Sequence, residues 1–211
     1  MLDARIVKRR RDFTVDVALH AGDGDAVALF GPSGAGKSTV LSCIAGFERP
    51  DGGTIALGGR TLFPPPAPLR VREIGYLTQE SALFPHLSVA ANVRFGVGRA
   101  GDEPWIAELR DGLGLGTVWN ATASRISGGQ ARQRAGERDV VRDLVRDLVR
   151  WRAERGFTLV VVDHQSDVLE RLAPRVVVIE NGRVVQAGAW EAVRAAARDL
   201  AFGAHLGART H

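Results

Sequence analysis

The sequence predicts an α/β fold with a mixed sheet and a small helical subdomain. The main support is a short apolar run, a glycine-rich loop and a helical pattern that follow one another over residues 26–46. Two further apolar runs of strand length lie at residues 157–162 and 175–180, and an amphipathic pattern precedes them. With 211 residues, 45% of them hydrophobic, the chain is long enough for one buried core of ordinary size.

Composition excludes several classes of protein. Every apolar run is shorter than the roughly 18 residues that a membrane span requires. Residues Met1–Arg11 are basic but lack the apolar stretch of a secretory signal. The single cysteine, Cys43, excludes a disulfide framework and a cysteine metal cage, and it fits a reducing compartment.

The positive charge is weak evidence for nucleic-acid binding. The net charge is +4 with a pI of about 10.1, but the arginines are spread along the chain and mixed with 24 acidic residues. We therefore interpret the charge as a solvated surface and expect no nucleic-acid partner. Only two of the 28 basic residues are lysines, Lys8 and Lys37, so the position of Lys37 is informative.

The residues around Lys37 have the pattern of a phosphate-binding loop. Ala26–Phe30 reads as a buried strand, Gly31–Ser38 fits G-x-x-x-x-G-K-[ST], and Thr39–Gly46 reads as a helix. Glycines let backbone N–H groups surround phosphate oxygens, and the helix directs the positive end of its dipole at them. The predicted nucleotide-binding residues are Gly31, Pro32, Ser33, Gly34, Ala35, Gly36, Lys37, Ser38 and Thr39. Lys37 should reach the β- and γ-phosphates, and the Ser38 hydroxyl should be a ligand of Mg²⁺.

Three later segments indicate which class of nucleotide-binding protein the chain resembles. Ile74–Glu80 reads as a strand that includes Gln79, Ile126–Gln130 reads ISGGQ and opens a helical run, and Leu159–His164 reads as a strand that ends at a histidine. A short helix, the strand Arg175–Glu180 and glycine turns follow. In this order and spacing, residues 13–190 resemble the ATP-binding cassette (ABC) ATPases, whose cofactors are ATP and Mg²⁺.

The resemblance implies a P-loop NTPase core of ABC type in a single ATP-binding domain of residues 1–211. The core would comprise residues of about 1–80 and 156–190. A helical signature subdomain would occupy about 81–155, and a short C-terminal helix would cover 190–211.

The resemblance also assigns roles to residues of the later segments. Gln79 looks like the Q-loop glutamine, a ligand of Mg²⁺ and water that senses the membrane partner. Ser127, Gly129 and Gln130 look like the signature that closes over the γ-phosphate bound to the other subunit. His164 looks like the switch histidine that contacts the γ-phosphate, so His164 and Gln79 are the predicted catalytic residues.

The resemblance further implies partners and a location. The family works as a head-to-tail pair of cassettes, here a homodimer or a cassette pair, bound to integral membrane permease subunits. The segment Leu83–Val93 resembles importers of molybdate, sulfate and thiamine, in which a solute-binding protein acts indirectly. The short tail after the core resembles the thiamine type more than the longer molybdate type. We expect a cytoplasmic protein, peripheral on the inner face of the cell membrane.

One family segment has no counterpart in this sequence. Between signature and histidine the family carries a strand ending in Asp-Glu, which orients Mg²⁺ and supplies the general base, followed by a D-loop. Here Ser127 and His164 are only 37 positions apart. An amphipathic helix from Glu137 to about Arg155, ended by Gly156, uses most of that interval. The sequence therefore predicts a cassette that lacks one central strand and is impaired in hydrolysis.

Several alternatives stay open at this point. The strand before Asp163 could occupy the vacant place and bring that carboxylate towards Mg²⁺. Phe13 could stack on adenine, although the alternation around it favours a core position. The chain could instead be a non-catalytic or vestigial cassette subunit, or a soluble ABC protein that acts on nucleic acid.

Overall fold

The computed structural model describes residues 1–69, 72–76, 84–97, 103–125, 147–163 and 166–196. The chain divides into two compact units. The first comprises Met1–Tyr76 and Leu148–His211, and the second comprises Leu77–Asp147. The phosphate-loop motif lies in the first unit.

The first unit is built on an eight-stranded mixed sheet in the order β5-β4-β1-β2-β8-β7-β3-β6. Its strands are β1 (Leu2–Arg9), β2 (Thr14–Ala21), β3 (Ala26–Phe30), β4 (Gly52–Leu57), β5 (Arg60–Phe63), β6 (Leu159–Val162), β7 (Arg175–Glu180) and β8 (Arg183–Ala189). The strand β3 is paired in parallel with β7 on one side and with β6 on the other. The hairpins β1–β2 and β7–β8 are antiparallel. The predicted α/β class with a mixed sheet is confirmed.

Six α-helices accompany the strands in the described residues. They are α1 (Lys37–Ala45), α2 (Val89–Val97), α3 (Glu103–Gly112), α4 (described over 147–155), α5 (Ser166–Leu172) and α6 (Trp190–Ala196). The predicted amphipathic helix before β6 is thus helical in its described part. It ends at Gly156, as predicted, because that residue has a φ of 68° and donates its N–H to the carbonyl of Arg152.

Alternation along β3 supplies both faces of the sheet with apolar side chains. Val27 and Leu29 belong to a first cluster that includes Val40, Cys43 and Ile44 of α1. The intervening β3 residues, Ala26, Ala28 and Phe30, belong to a second cluster with Leu169 of α5 and Trp190 of α6. All five residues of β3 are buried, so the strand that carries the loop is fixed from both sides.

The second unit is helical in its described part. The Ser88 hydroxyl accepts a hydrogen bond from the N–H of Ala91 and thereby caps the start of α2. The Asn92 side chain bonds the backbone of Phe84 in both directions, at 2.8 and 3.2 Å. These bonds fix the segment that leads into α2.

The predicted strand over Ile74–Glu80 is wrong in its described part. Ile74–Tyr76 has no strand assignment, and residues 77–80 lie outside the described residues. Instead of joining the sheet, Ile74 packs partly against the first core cluster, and the Tyr76 ring lies 5.0 Å from that of Phe47. In the described sheet β6 is the last strand, and Ile74–Tyr76 is not paired with it.

No helix in the described parts of the chain is long and apolar enough to cross a membrane.

A buried arginine fixes the end of α1. Arg72 is only 4% exposed, and its guanidinium donates to the carbonyl oxygens of Ile44, Ala67 and Leu62 at 2.8, 3.2 and 3.4 Å. The Ile44 carbonyl lies in the last turn of α1, where the helix dipole is negative. The single positive charge therefore ties α1 to the chain after β5.

We expect Arg72→Met to lower the free energy of unfolding by about 2–4 kcal/mol, because it leaves buried carbonyls without a donor. Urea denaturation measures the change. Arg60→Met is the matched control, since the Arg60 side chain is 47% exposed in a surface pair with Glu73 and should matter by less than about 1 kcal/mol. Equal losses in the two variants would contradict the role of Arg72.

The single thiol should be unreactive in the folded chain. Cys43 is fully buried in α1, and burial together with the nearby Glu48 carboxylate raises the pKa of its thiol to about 11. Labelling by a disulfide reagent at pH 8 should be about a hundredfold slower in buffer than in urea. The raised pKa also means that the protonated thiol contributes stability below about pH 9, which is lost as the pH rises towards 11. Cys43→Ala should remove that part of the pH dependence.

Candidate functional site

The first turn of α1 is open to an anion. The helix begins at Lys37 after Gly36, no side chain caps it, and its first turn contains no acidic residue. The first N–H groups of a helix have no intrahelical partner, and they carry the positive end of the dipole. A phosphate group would satisfy these donors, as the sequence predicts.

The loop between β3 and α1 is shaped by close packing on one side and open space on the other. Gly31 has a φ of 142°, and a Cβ at this position would collide with the Ile179 carbonyl of β7. Only glycine therefore fits where the chain leaves the sheet. Gly34, in contrast, is exposed, and a Cβ there would meet no atom within 4 Å. A ligand can approach the loop from this open side.

Lys37 places a buried positive charge within the loop. The residue is 5% exposed, and its Nζ donates to the carbonyl oxygens of Gly31 and Pro32, both at 2.7 Å. Burial lowers the pKa of the Lys37 ammonium. The ammonium is thus held by the loop itself, next to the open first turn of α1, where a polyphosphate would find a compensating charge.

The two residues after Lys37 differ in their surroundings. Ser38 is exposed, so its hydroxyl is accessible to a ligand. Thr39 is buried, and its hydroxyl lies 2.7 Å from Nη2 and 3.2 Å from Nε of Arg10. The same Nη2 donates to Glu48 at 2.6 Å. The Thr39 side chain therefore joins α1 to the connection between β1 and β2, and the Thr39 backbone N–H is the group that remains for a phosphate.

Phe13 lies beside the loop and against the core. It precedes β2 directly, is half-buried and packs against the first core cluster, as the alternation predicts. A Cβ at Gly36 would lie 3.5 Å from Cε2 of its ring. One face of the phosphate loop is therefore covered by an aromatic side chain.

Five predicted site residues lie outside the described residues. They are Gln79, Ser127, Gly129, Gln130 and His164. Their roles therefore remain predictions.

The end of β6 lies at the same sheet edge as the phosphate loop. Val162 pairs with Leu29 in the parallel ladder, so Asp163 follows at the level of Phe30, one residue before the loop. The alternative role of Asp163 as a magnesium ligand remains a prediction.

The described residues include no group of three His, Cys, Asp or Glu side chains that could hold a metal ion. The exposed hydroxyl of Ser38 is an oxygen donor next to the phosphate loop. Mg²⁺ binds proteins through few side-chain oxygens and completes its shell with phosphate and water. The site therefore fits a metal that arrives with a polyphosphate.

Sequence reasoning missed two residues of this site, Arg10 and Gly182. Arg10 reaches Thr39, and Gly182 donates its N–H to the Ala35 carbonyl of the loop at 3.0 Å. The Asn-Gly pair at 181–182 between two apolar runs is a hairpin signal. No local pattern indicates that this hairpin turn touches the phosphate loop.

Comparison with known proteins gives one family. Residues 15–136 match the family model described as ABC transporter. The molybdenum import ATP-binding protein ModC of Rhodospirillum rubrum is 32% identical over 98% of this chain. The Fe(3+) ions import ATP-binding protein FbpC of Pseudomonas fluorescens is 36% identical over 82% of this chain. The chain spans 68% of the first relative's length and 56% of the second's.

The fold is also similar to that of solved structures. A dimeric ATP-binding cassette in a post-hydrolysis state, bound to ADP and Pi, superposes with a TM-score of 0.72 at 21% sequence identity. The match covers 90% of this chain and 98% of that cassette. At this identity the likeness concerns the fold.

The two lysines of the chain allow a controlled test of the loop. Lys37→Met should raise the Kd for ATP about 10- to 100-fold, because it removes a charge-assisted contact with the phosphates. Isothermal titration calorimetry measures the Kd. Lys8→Met is the control, since Lys8 pairs with Asp51 at 3.2 Å and should change the Kd less than about twofold. An unchanged Kd in Lys37→Met would contradict the assignment.

Proposed function

The chain belongs to the ABC transporter family, and we propose that it is the ATP-binding subunit of a solute importer. The observation that carries the proposal is the phosphate loop, in which a buried lysine lies beside an uncapped helix start. The relatives support the importer branch, since those named above import molybdenum and Fe(3+) ions. Molybdate is therefore the first substrate to test, ahead of thiamine.

The loop residues would bind the triphosphate of ATP. Lys37 would hold the β- and γ-phosphates, and the N–H groups at the start of α1 would donate to their oxygens. Ser38, with Gln79, would be the protein ligands of Mg²⁺. Bound Mg²⁺ would neutralise charge that develops on the phosphates.

The proposed assembly is a head-to-tail pair of cassettes on permease subunits. In that pair, Ser127, Gly129 and Gln130 of one subunit would close over the nucleotide of the other, and His164 would contact the γ-phosphate. The dimeric form of a solved cassette with this fold supports the pairing. The subunit would lie at the inner face of the membrane, bound to the permease.

We further propose that this subunit binds ATP but hydrolyses it slowly. The helix α4 is described to residue 155, Gly156 ends it, and β6 begins at Leu159. This short connection leaves no room for another strand between α4 and β6. The sequence between Ser127 and His164 contains no apolar run ending in Asp-Glu, so the general base has no candidate there.

With its permease, the chain should hydrolyse ATP about 10²- to 10⁴-fold more slowly than a related cassette that carries both carboxylates, because a general base contributes that factor. Steady-state phosphate release measures the rate, and Lys37→Met gives the background. Turnover equal to that of the related cassette, and lost in Lys37→Met, would contradict the slow-hydrolysis proposal. A failure to bind ATP in calorimetry would contradict the proposed function as a whole.

A further inference from the structure

The hairpin β7–β8 reaches the phosphate loop through its turn. Asn181 and Gly182 form a two-residue connection with φ values of 46° and 78°, between the paired residues Glu180 and Arg183. Positive φ at both positions is typical of a type I′ turn. Unlike an ordinary hairpin tip, Gly182 is buried.

Gly182 is bonded on both sides. Its N–H donates to the Ala35 carbonyl of the phosphate loop at 3.0 Å, and its carbonyl accepts the N–H of Asp16 in β2 at 2.7 Å. A Cβ on Gly182 would collide with the Thr14 carbonyl and would lie 2.9 Å from Cδ2 of Phe13. The turn is therefore wedged between the phosphate loop and the start of β2.

Phe13 completes this contact. Its ring packs against the backbone of Gly36 and of Gly182, in the space that a side chain on either glycine would occupy. The two glycines are also close to each other, since a Cβ on Gly36 would lie 3.8 Å from the Gly182 Cα. The Asn181–Gly182 turn and Phe13, which we call the loop support, thus pack behind Ala35 and Gly36. None of these contacts involves the open side of the loop at Gly34.

The hydrogen bond to Ala35 has a consequence for the next residue. In a planar trans peptide the C=O and the following N–H point in opposite directions. Because the Ala35 carbonyl is directed at Gly182, the Gly36 N–H is directed away from the turn. We propose that the loop support orients the Gly36 N–H towards the bound phosphate. Gly182 and Phe13 are then positioning residues for nucleotide binding.

This inference rests on the proposed function in that ATP must bind the loop. It also assigns Phe13 a place behind the phosphates and not a stacking contact with adenine. A support of this kind acts on every ligand that carries the phosphates, whereas a stacking residue acts only on ligands that carry the base. The two roles therefore differ in what they do to inorganic tripolyphosphate.

Gly59 is a close control for Gly182. It is the second residue of the Gly58–Gly59 turn between the paired residues Leu57 and Arg60, and its φ is 76° against 78° for Gly182. A Cβ on Gly59 would meet no atom within 4 Å. Alanine at either position therefore carries the same backbone strain, but only the alanine at Gly182 collides with the structure next to the phosphate loop.

The experiment measures the Kd of the full chain for ATP and for tripolyphosphate by calorimetry, with the thermal midpoint recorded in parallel. Gly182→Ala should raise both Kd values at least about tenfold, equivalent to one charge-assisted hydrogen bond, whereas Gly59→Ala should change them less than about twofold. Wild-type Kd values in a folded Gly182→Ala variant would overturn the proposal. A wild-type chain that binds neither ligand would instead overturn the proposed function.

If Gly182→Ala does not fold, the Phe13→Leu variant tests the positioning role of the loop support. It should weaken ATP, GTP and tripolyphosphate by the same factor of about 3 to 10, because a smaller side chain leaves the loop less well packed. Phe47→Leu is its control, since Phe47 is 63% exposed. Loss of ATP affinity with unchanged tripolyphosphate affinity would make Phe13 an adenine contact and overturn the proposal.

Discussion

The unpaired N–H groups at the start of α1 are the constraint around which the first unit is arranged. They are useful to an anion only if no protein group satisfies them and if the loop before them keeps its shape. The protein meets the first condition by placing neither a capping side chain nor an acid in the first turn. It meets the second through packing, because β3 is buried on both faces and Gly31 fits tightly against β7.

Contacts from distant parts of the chain hold the rest of the loop and its helix. Arg10 of the β1–β2 hairpin donates a hydrogen bond to Thr39, and Gly182 of the β7–β8 turn donates one to Ala35. Arg72 donates to a carbonyl in the last turn of α1. Each contact uses a backbone carbonyl or a hydroxyl that the phosphate does not need. These contacts therefore stabilise the loop on the side that packs against the protein, and the side at Gly34 stays open to a ligand.

The sequence predicts the parts of this arrangement that depend on local pattern. Strand, loop and helix around Lys37 follow from glycine spacing and apolar periodicity, and the hairpin turn at Gly182 follows from Asn-Gly. The roles of Arg10 and Gly182 depend on contacts between residues far apart in the chain, which no local pattern encodes. The strand predicted over Ile74–Glu80 is not present at Ile74–Tyr76, because strand formation depends on pairing with a distant segment, which the local pattern does not specify.

In the proposed function, nucleotide binding and ATP hydrolysis would depend on different strands. The groups that would bind the phosphates lie between β3 and α1, a region supported by two core clusters and by both hairpins. In the proposed slow-hydrolysis subunit, the missing carboxylates would belong to a further strand, for which the sequence between Ser127 and His164 offers no apolar run ending in Asp-Glu. Among the described strands, β6 lies at the end of the sheet with its four residues partly exposed, and β3 has a neighbour on each side. The geometry of the phosphate loop therefore depends on strands that the described sheet contains, and this agrees with the proposal of a subunit that binds ATP and hydrolyses it slowly.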